Sequence, residues 1–351
     1  MRSATTTEPG NRPPGIGEGA PAATLGSADF ARLTDPFRPE LLAYCYRMLG
    51  SLHDAEDQVQ ETMIRAWRSY GQFEGRASVR TWLYRIAANC CLRALENRSR
   101  RPLPAGLGGP ADPDGPFDPA RPEVPWLEPF PDVLLDAESA DPAAIVTSRQ
   151  DLRLALIAAL QYLPGRQRSV LILRDVLMWR AAEVAELLGI STVAVNSVLQ
   201  RARVGLRDVA PVREEVREPA DVHQRALVDQ YAAAIENADV TALMRLLRAD
   251  ATFEMPPAPA WFLGREQIGR FLASYVLREP GDLRVIRTSA NGQPALAVYQ
   301  RASDGVHRAH VVQVLTCTTA GVARIVAFRN PGLFAAFGLP PELPASPAWL
   351  S

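Results

Sequence analysis

The chain has 351 residues, of which 47% are hydrophobic and 22% are charged, and its formal net charge is −1. This composition excludes wholesale disorder and a collagen-like fibre, and the length predicts two or three domains. No apolar run reaches the roughly 18 residues needed to cross a bilayer, and the N-terminus lacks the apolar core of a secretory signal. We therefore expect a cytoplasmic protein without a membrane segment.

The four cysteines show no metal-binding spacing. Cys45, Cys90, Cys91 and Cys317 include no CxxC pair, and the neighbours Cys90 and Cys91 point to different sides of any helix. Neither a disulfide framework nor a zinc site is indicated. We expect reduced structural thiols, no metal and no cofactor.

Composition divides the chain into six segments: 1–27, a first helical block at 28–101, a linker at 102–144, a second helical block at 145–210, a third domain at 220–340 and a tail at 341–351. The first segment is rich in Pro, Gly, Ala and Thr and is predicted to be disordered, because it cannot bury enough apolar surface to offset the entropy of ordering. The linker is acidic and rich in Pro, which removes backbone donors, so we expect it to be extended.

The stretch DAEDQVQETMIRAW predicts an amphipathic helix that begins at a capping Asp54. Its apolar stripe is predicted to consist of Val59, Met63, Ala66 and Trp67. Asp54, Asp57 and Glu61 then fall on the opposite face. For this helix alone, a solvated acidic face without a partner is the simpler interpretation.

A basic and aromatic stretch, GRASVRTWLYRIAANCCLRALENRSRR, follows. It predicts a short polar loop and then a helix that carries Trp82, Tyr84, Ile86 and Leu92 among Arg80, Arg85 and Arg93. Aromatic rings beside arginine suit single-stranded DNA, because a base stacks on the ring while the guanidinium meets phosphate. An aromatic core with solvated arginines fits these residues equally well.

The second helical block contains RAAEVAELLGISTVAVNSVLQRAR, which fits a helix-turn-helix. Small Ala185 stands where the helices touch, Gly189 lies at the turn, and Val195 points inward from the second helix. The residues expected to face outward are Ala194, Ser197, Gln200 and Arg201, and phosphate contacts are expected from Arg201, Arg203 and Arg207. A helical hairpin that does not bind DNA is the alternative.

Taken together, the two blocks resemble an extracytoplasmic-function (ECF) sigma factor of the sigma-70 family. The resemblance implies that core RNA polymerase contacts Asp54, Asp57, Gln60 and Glu61. It implies that the promoter −10 element contacts Arg76, Arg80, Trp82, Arg85, Asn89 and Arg93. It implies that the −35 element contacts Ser191, Thr192, Ala194, Ser197, Gln200, Arg201 and Arg203. In the family, the linker threads through the polymerase nucleic-acid channel, and the island WLEPFPDVLLD adds a potential anchor here.

The third domain shows helical patterns at 226–237 and 240–248, and then the strand-like runs LRVIRTSA, ALAVYQRA, AHVVQVLTC and VARIVAFR, which indicate an α+β fold. The segments ATFEMPPAPAWFLGREQIGRFLAS and RNPGLFAAFGLP resemble a SnoaL-like, ketosteroid-isomerase-like domain, which implies a curved sheet wrapped by helices around a conical pocket. The pocket candidates are Tyr231, Glu254, Trp261, Phe262 and His310. Asp250 is interpreted as a helix cap.

No complete catalytic set is present, so we do not expect an enzyme. Three roles stay open for the third domain: ligand sensing, a packing or regulatory role, and catalysis. The leading hypothesis is a multidomain sigma factor with two all-α domains and a cone-shaped α+β domain. It would bind core RNA polymerase and promoter DNA, initiate transcription, and be regulated by its third domain, for which a small-molecule or protein ligand stays open. The alternatives are a ligand-sensing helix-turn-helix regulator that does not bind polymerase, and an isomerase-like enzyme fused to a DNA-binding module.

Overall fold

A computed structural model of the chain describes residues 27–75, 77–96, 98–116, 120–136, 152–209 and 221–344. The disorder predicted for the first segment and the contact predicted for Arg76 lie outside the described residues, as does the tail after Pro344. The first helical block contains α1 (Ser27–Thr34), α2 (Arg38–Leu49), α3 (Leu52–Ser69) and α4 (Val79–Leu95). Within its described residues, the linker contains a 3₁₀ helix at Pro104–Gly106 and the short α-helix α5 (Val133–Asp136). The second helical block contains α6 (Leu154–Leu160), α7 (Gly165–Leu171), α8 (Ala181–Leu188) and α9 (Thr192–Val209).

Helix α3 begins at Leu52, and its cap lies three residues before the predicted one. Ser51 is its cap, because the backbone N–H of Asp54 donates to Ser51 Oγ at 3.2 Å. The prediction that Asp54 caps the helix is therefore wrong. Gly50 separates α2 from α3 with φ of 70°, a left-handed conformation that favours glycine. Helices α2, α3 and α4 pack around a core that includes fully buried Tyr44, Tyr46 and Tyr84.

The helix-turn-helix is confirmed. Helices α8 and α9 are bent by 100° relative to one another. Gly189 makes the turn with φ of 64°, and Ala185 and Val195 are buried between the helices. Among the described residues no single helix is long and apolar enough to cross a membrane; by length and composition only this bent pair passes such a test.

The third domain is α+β, as predicted. Its helices are α10 (Asp221–Glu236), α11 (Val240–Leu246), α12 (Arg265–Tyr275) and α13 (Leu333–Ala336). Its strands are β1 (Leu247–Glu254), β2 (Trp261–Leu263), β3 (Leu283–Ala290), β4 (Gln293–Arg301), β5 (His307–Thr318), β6 (Gly321–Phe328) and β7 (Glu342–Leu343). The sheet order is β2-β1-β6-β5-β4-β3, with β7 paired to β5; β1 and β6 are parallel, and the other pairs are antiparallel.

The two faces of this sheet belong to two different cores. Side chains alternate along a strand, so Leu296 and Val298 of β4 join the core beneath α10, α11 and α12. Ala297 and Tyr299 of the same strand join the core that runs through both helical blocks. We call these the inner and the outer face. The outer face thus connects the third domain to the rest of the chain.

The described part of the linker is largely without regular structure, as expected, but it packs against the first helical block and the third domain rather than lying free. The island at 126–136 is an anchor: Leu127 and Phe130 are fully buried. Glu128 accepts hydrogen bonds from Ser51 Oγ at 2.8 Å and from the Leu52 N–H at 3.0 Å at the start of α3. The linker therefore holds the first helical block through specific polar contacts.

The β3–β4 turn reaches into the junction between the blocks. Asn291 and Gly292 turn the chain with φ of 57° and 63°. The buried Asn291 amide accepts from the Phe130 N–H at 2.9 Å, and its Nδ2 donates to Tyr46 Oη at 2.9 Å and to the Leu152 carbonyl at 2.7 Å. One side chain thus joins the linker and both helical blocks to the third domain.

Candidate nucleic-acid interface

The solvent-exposed side of α3 carries both acidic and apolar side chains. Asp57 has 54% of its side chain exposed and Gln60 is also exposed, whereas Glu61 is half-buried and bonded to Arg65 at 2.5 Å. Sequence reasoning missed Ile64, which is 37% exposed. It also misplaced Trp67, which is 46% exposed and rests edge-on against Phe30 at 5.2 Å between ring centroids instead of lying inside.

Asp54 does not belong to this surface. It is 7% exposed, and its Oδ2 accepts hydrogen bonds from both Arg98 and Arg101. Burial opposes ionisation, but the bonds from these two guanidiniums outweigh it and lower the pKa of Asp54. Its carboxylate is paired inside the protein in this structure, so the polymerase contact predicted for Asp54 stays a prediction that this placement does not favour.

Helix α4 presents part of the predicted −10 surface to solvent. Its start is capped by Ser78, which accepts from the Thr81 N–H at 3.1 Å. Asn89 and Arg93 are exposed along the helix, and Trp82 is half-buried against Phe73 with ring centroids 4.7 Å apart. These side chains are placed where a nucleic-acid strand can reach them.

The other two arginines of α4 are occupied. Arg80 makes a two-pronged ion pair with Glu40 at 2.8 and 2.9 Å, and its guanidinium lies 5.3 Å from the ring centroid of Trp179 in the second helical block. Arg85 pairs at 3.0 Å with Glu186 of α8. The second helical block therefore covers one side of α4, which the sequence did not predict.

Helix α9 exposes the beginning of a recognition helix. Ser191 caps it by accepting from the Ala194 N–H at 3.1 Å. The exposed predicted residues are Ser191, Thr192, Ser197, Gln200, Arg201 and Arg203, and Ala194 is half-buried. Sequence reasoning missed Asn196, which is exposed, and Val193, which is 75% exposed. Arg203 makes a two-pronged pair with Asp175 at 2.7 and 2.9 Å, so its charge is partly neutralised.

The five pocket candidates of the third domain do not form one site. Tyr231 and Phe262 lie in the inner core. Glu254 lies on the outer side of β1, where it is buried, paired with Arg324 at 2.5 Å and bonded to the linker N–H of Ala105 at 2.9 Å. Its strand partner Trp261 donates to the linker carbonyl of Gly108 at 2.9 Å. The prediction of a single pocket is wrong for this pair, because the alternation of β1 turns them towards the linker.

The inner core contains one polar pair that the sequence did not indicate. Tyr231 Oη donates to Gln313 Oε1 at 3.0 Å, and both side chains are buried. His310 lies on β5, where burial and the charge of Arg329 lower its pKa. Asp250 is not a helix cap: it lies within β1 and pairs with Arg248 at 2.8 Å.

Comparisons with known proteins agree with this architecture. Residues 33–101 match sigma-70 region 2, residues 153–206 match sigma-70 region 4, and residues 228–327 match the SnoaL-like domain. The chain is 52% identical over 318 residues to the ECF RNA polymerase sigma factor SigG of Mycobacterium tuberculosis, covering 90% of this chain and 85% of the relative. It is 29% identical over 311 residues to SigJ of the same organism, covering 86% and 91% of the two chains.

A solved structure has a similar overall fold. The crystal structure of the Mycobacterium tuberculosis ECF sigma factor SigJ matches with a TM-score of 0.58 and 26% identity, over 90% of this chain and all of that one. The helical blocks, the helix-turn-helix and the third domain therefore occur together in relatives of known type. This chain belongs to the ECF RNA polymerase sigma factors, with a SnoaL-like domain at its C-terminal end.

Proposed function

We propose that this sigma factor binds core RNA polymerase through α3, the −10 element through α4 and the −35 element through α9, and thereby initiates transcription in the cytoplasm. The observation that carries the proposal is the exposed acidic and apolar side of α3, formed by Asp57, Gln60, Ile64 and Trp67. Apolar groups rimmed by carboxylates favour a protein partner with a basic, partly apolar helix surface.

The −10 and −35 surfaces differ in accessibility. The outward residues of α9 are free to enter a major groove, and the start of the helix adds N–H groups for phosphate. Helix α4 keeps Asn89, Arg93 and part of Trp82 accessible, since Arg80 is paired with Glu40 and lies against Trp179, and Arg85 is paired with Glu186 of α8. Use of the complete −10 surface therefore requires α8 to move away from α4.

The third domain regulates this rearrangement in our proposal. Through Asn291 and through Gln293, which accepts from the Leu154 N–H at 3.0 Å, the β3–β4 turn holds the blocks in the packed arrangement. A ligand or protein partner shifts the balance only if it prefers one arrangement over the other. The Glu254 carboxylate already accepts hydrogen bonds from Arg324 and from the linker N–H of Ala105. A carboxylate occupied in this way favours a regulatory domain over an acid–base catalyst.

Co-purification with core polymerase tests the assignment of α3. We expect the double substitution Asp57→Arg and Gln60→Arg to weaken binding more than tenfold while the fold is kept, because exposed charges seldom control stability. Glu279→Arg, an exposed acid of the third domain, is the matched control and should bind like the wild type. Normal core binding by the double variant would remove this surface from the proposal.

In vitro transcription over a library of −35 sequences tests the assignment of α9. Arg201→Ala should weaken all promoters similarly, and Gln200→Ala should change the ranking of −35 sequences, because phosphate contacts position while base contacts specify. Exposed Arg278→Ala is the control. Binding of duplex DNA without any polymerase-dependent transcription would instead favour a ligand-sensing helix-turn-helix regulator.

A further inference from the structure

A cavity of about 180 Å³ lies where the two helical blocks meet. One wall is the segment 98–101 after α4, and the other is the turn before α7 together with α7 itself. The charged residues that line it are Asp54, Arg98, Arg100, Arg101 and Arg168. Four guanidiniums thus surround the cavity against a single carboxylate.

That carboxylate does not balance the charge. Its Oδ2 is shared by Arg98 and Arg101, so one negative charge serves two arginines. Arg100 bonds only neutral groups among the described residues: its Nη2 donates to the Gly106 carbonyl at 3.0 Å, and its guanidinium lies 4.4 Å from the ring centroid of Tyr162. An excess of positive charge therefore remains at the cavity wall.

Arg168 adds to the excess of positive charge at this cavity. It is 3% exposed, and its two terminal nitrogens donate to the Met48, Gln161 and Leu163 carbonyls and to Gln161 Oε1, all of them neutral. Its Nε–H is buried and has no hydrogen-bond partner. No carboxylate pairs with it within the described part of the chain, and burial lowers its pKa to about 10. A buried cation without a counter-ion is costly, and an anion in the adjoining cavity offsets that cost.

We propose that this cavity is a binding site for a small phosphate-bearing anion, held by Arg98, Arg100 and Arg101 on one wall and attracted by the buried positive charge of Arg168 in the other. Arginine suits this ligand because its planar guanidinium donates two parallel hydrogen bonds to phosphate oxygens. A DNA backbone is the less suitable ligand, because a cavity of about 180 Å³ between the two helical blocks is too small for a duplex. Because the walls come from both helical blocks, the bound anion also stabilises their packed arrangement.

Thermal unfolding of the full chain tests the site without any transcription readout. The probes are inorganic phosphate, pyrophosphate and glycerol phosphate, each compared with sodium chloride at equal ionic strength. We expect a saturable rise of Tm with at least one phosphate probe. Arg98→Gln changes a half-exposed side chain. It should weaken the binding of that probe about tenfold, the usual effect of losing one charge-assisted hydrogen bond. Arg278→Gln removes an equal charge from the third domain and should bind like the wild type.

The probes also identify the source of the phosphate. Tighter binding of glycerol phosphate assigns the cavity to a phosphorylated metabolite, and tighter binding of inorganic phosphate or pyrophosphate assigns it to the free anion; either result supports the site. A rise of Tm no larger than with sodium chloride would overturn the proposal. So would equal weakening in Arg98→Gln and Arg278→Gln, because the anion would then bind elsewhere on the surface.

Discussion

At the scale of single residues, the polar groups that matter most are those whose partners are distant along the chain. Asn291 bonds groups 161, 245 and 139 positions away, and all of these bonds are shielded from water. A buried amide with satisfied donors and acceptors adds little net free energy, but its removal leaves several partners unsatisfied. Such residues control stability more strongly than their size suggests.

We predict that Asn291→Gly lowers the free energy of unfolding by about 2–4 kcal/mol, because the Phe130 N–H and the Leu152 carbonyl lose their partner in a dry environment. Glycine is chosen because it tolerates the left-handed conformation of this turn, so the loss reports the side chain. Urea unfolding measures it. Asn237→Ala, which changes an exposed side chain, should cost less than about 0.5 kcal/mol. Equal losses in the two variants would contradict the role of Asn291.

Asp54 gives a pH dependence of known sign. Its pKa is lowered in the folded protein from the ordinary value of 3.8, so its pairing with Arg98 and Arg101 stabilises the fold above that value. The contribution is lost as pH falls through the lowered pKa. We expect Asp54→Asn to cost about 2 kcal/mol at pH 7, the usual loss of hydrogen bonds to a charged group. Urea unfolding between pH 7 and pH 3 measures the difference in unfolding free energy between Asp54→Asn and the wild type. We expect this difference to narrow below pH 4, and a constant difference would contradict this assignment.

At the scale of elements, local sequence determines the helix-turn-helix. The turn at Gly189 needs a left-handed backbone but no space, since nothing lies within 4 Å of the place where a Cβ would stand. A side chain there is strained by backbone conformation alone.

We therefore predict that Gly189→Ala destabilises the chain by about 1–2 kcal/mol, the cost of a left-handed alanine. Thermal or urea unfolding provides the measurement. Gly71→Ala is the matched control, because Gly71 also has open space but lacks a positive φ. It should be neutral or slightly stabilising, and a similar loss at both positions would argue against a conformational origin.

The contrast between local sequence patterns and contacts distant along the chain explains which features could be predicted from the sequence. The helix-turn-helix and β3 follow from periodicity and turn residues within a short window, and β3 occupies the predicted run LRVIRTSA. The start of strand β1 was not predicted because the helical pattern in the sequence extends over 240–248. In the structure helix α11 ends at Leu246, and β1 begins at the next residue. The true partners of Asp54, Arg80 and Glu254 are 40 or more positions away, and no local pattern indicates such pairs.

At the scale of the whole molecule, both helical blocks and the third domain share one continuous core. The outer sheet face, the linker island and helices from both blocks bury apolar side chains together. A core shared in this way couples the positions of the domains, since separating any pair exposes apolar surface. In our proposal, the ion pair between Arg85 of α4 and Glu186 of α8 influences how readily the predicted −10 surface opens.

Reversing one charge at this contact should open it. In Glu186→Arg the new guanidinium faces Arg85 across the former 3.0 Å pair, so attraction becomes repulsion. The two side chains are 41% and 66% exposed, and this partial solvation limits the change to about 1–2 kcal/mol, or roughly 5–30-fold in the opening equilibrium. Hydrogen exchange should therefore show that amides of α4 lose protection by that factor. The double reversal Arg85→Glu with Glu186→Arg restores the pair and should restore protection, whereas Glu279→Arg adds the same charge remotely and should change nothing. If Glu186→Arg exchanged like Glu279→Arg, this ion pair would not control exposure of the −10 surface, and the apolar core with the buried polar contacts of Arg168 and Asn291 would hold the blocks together.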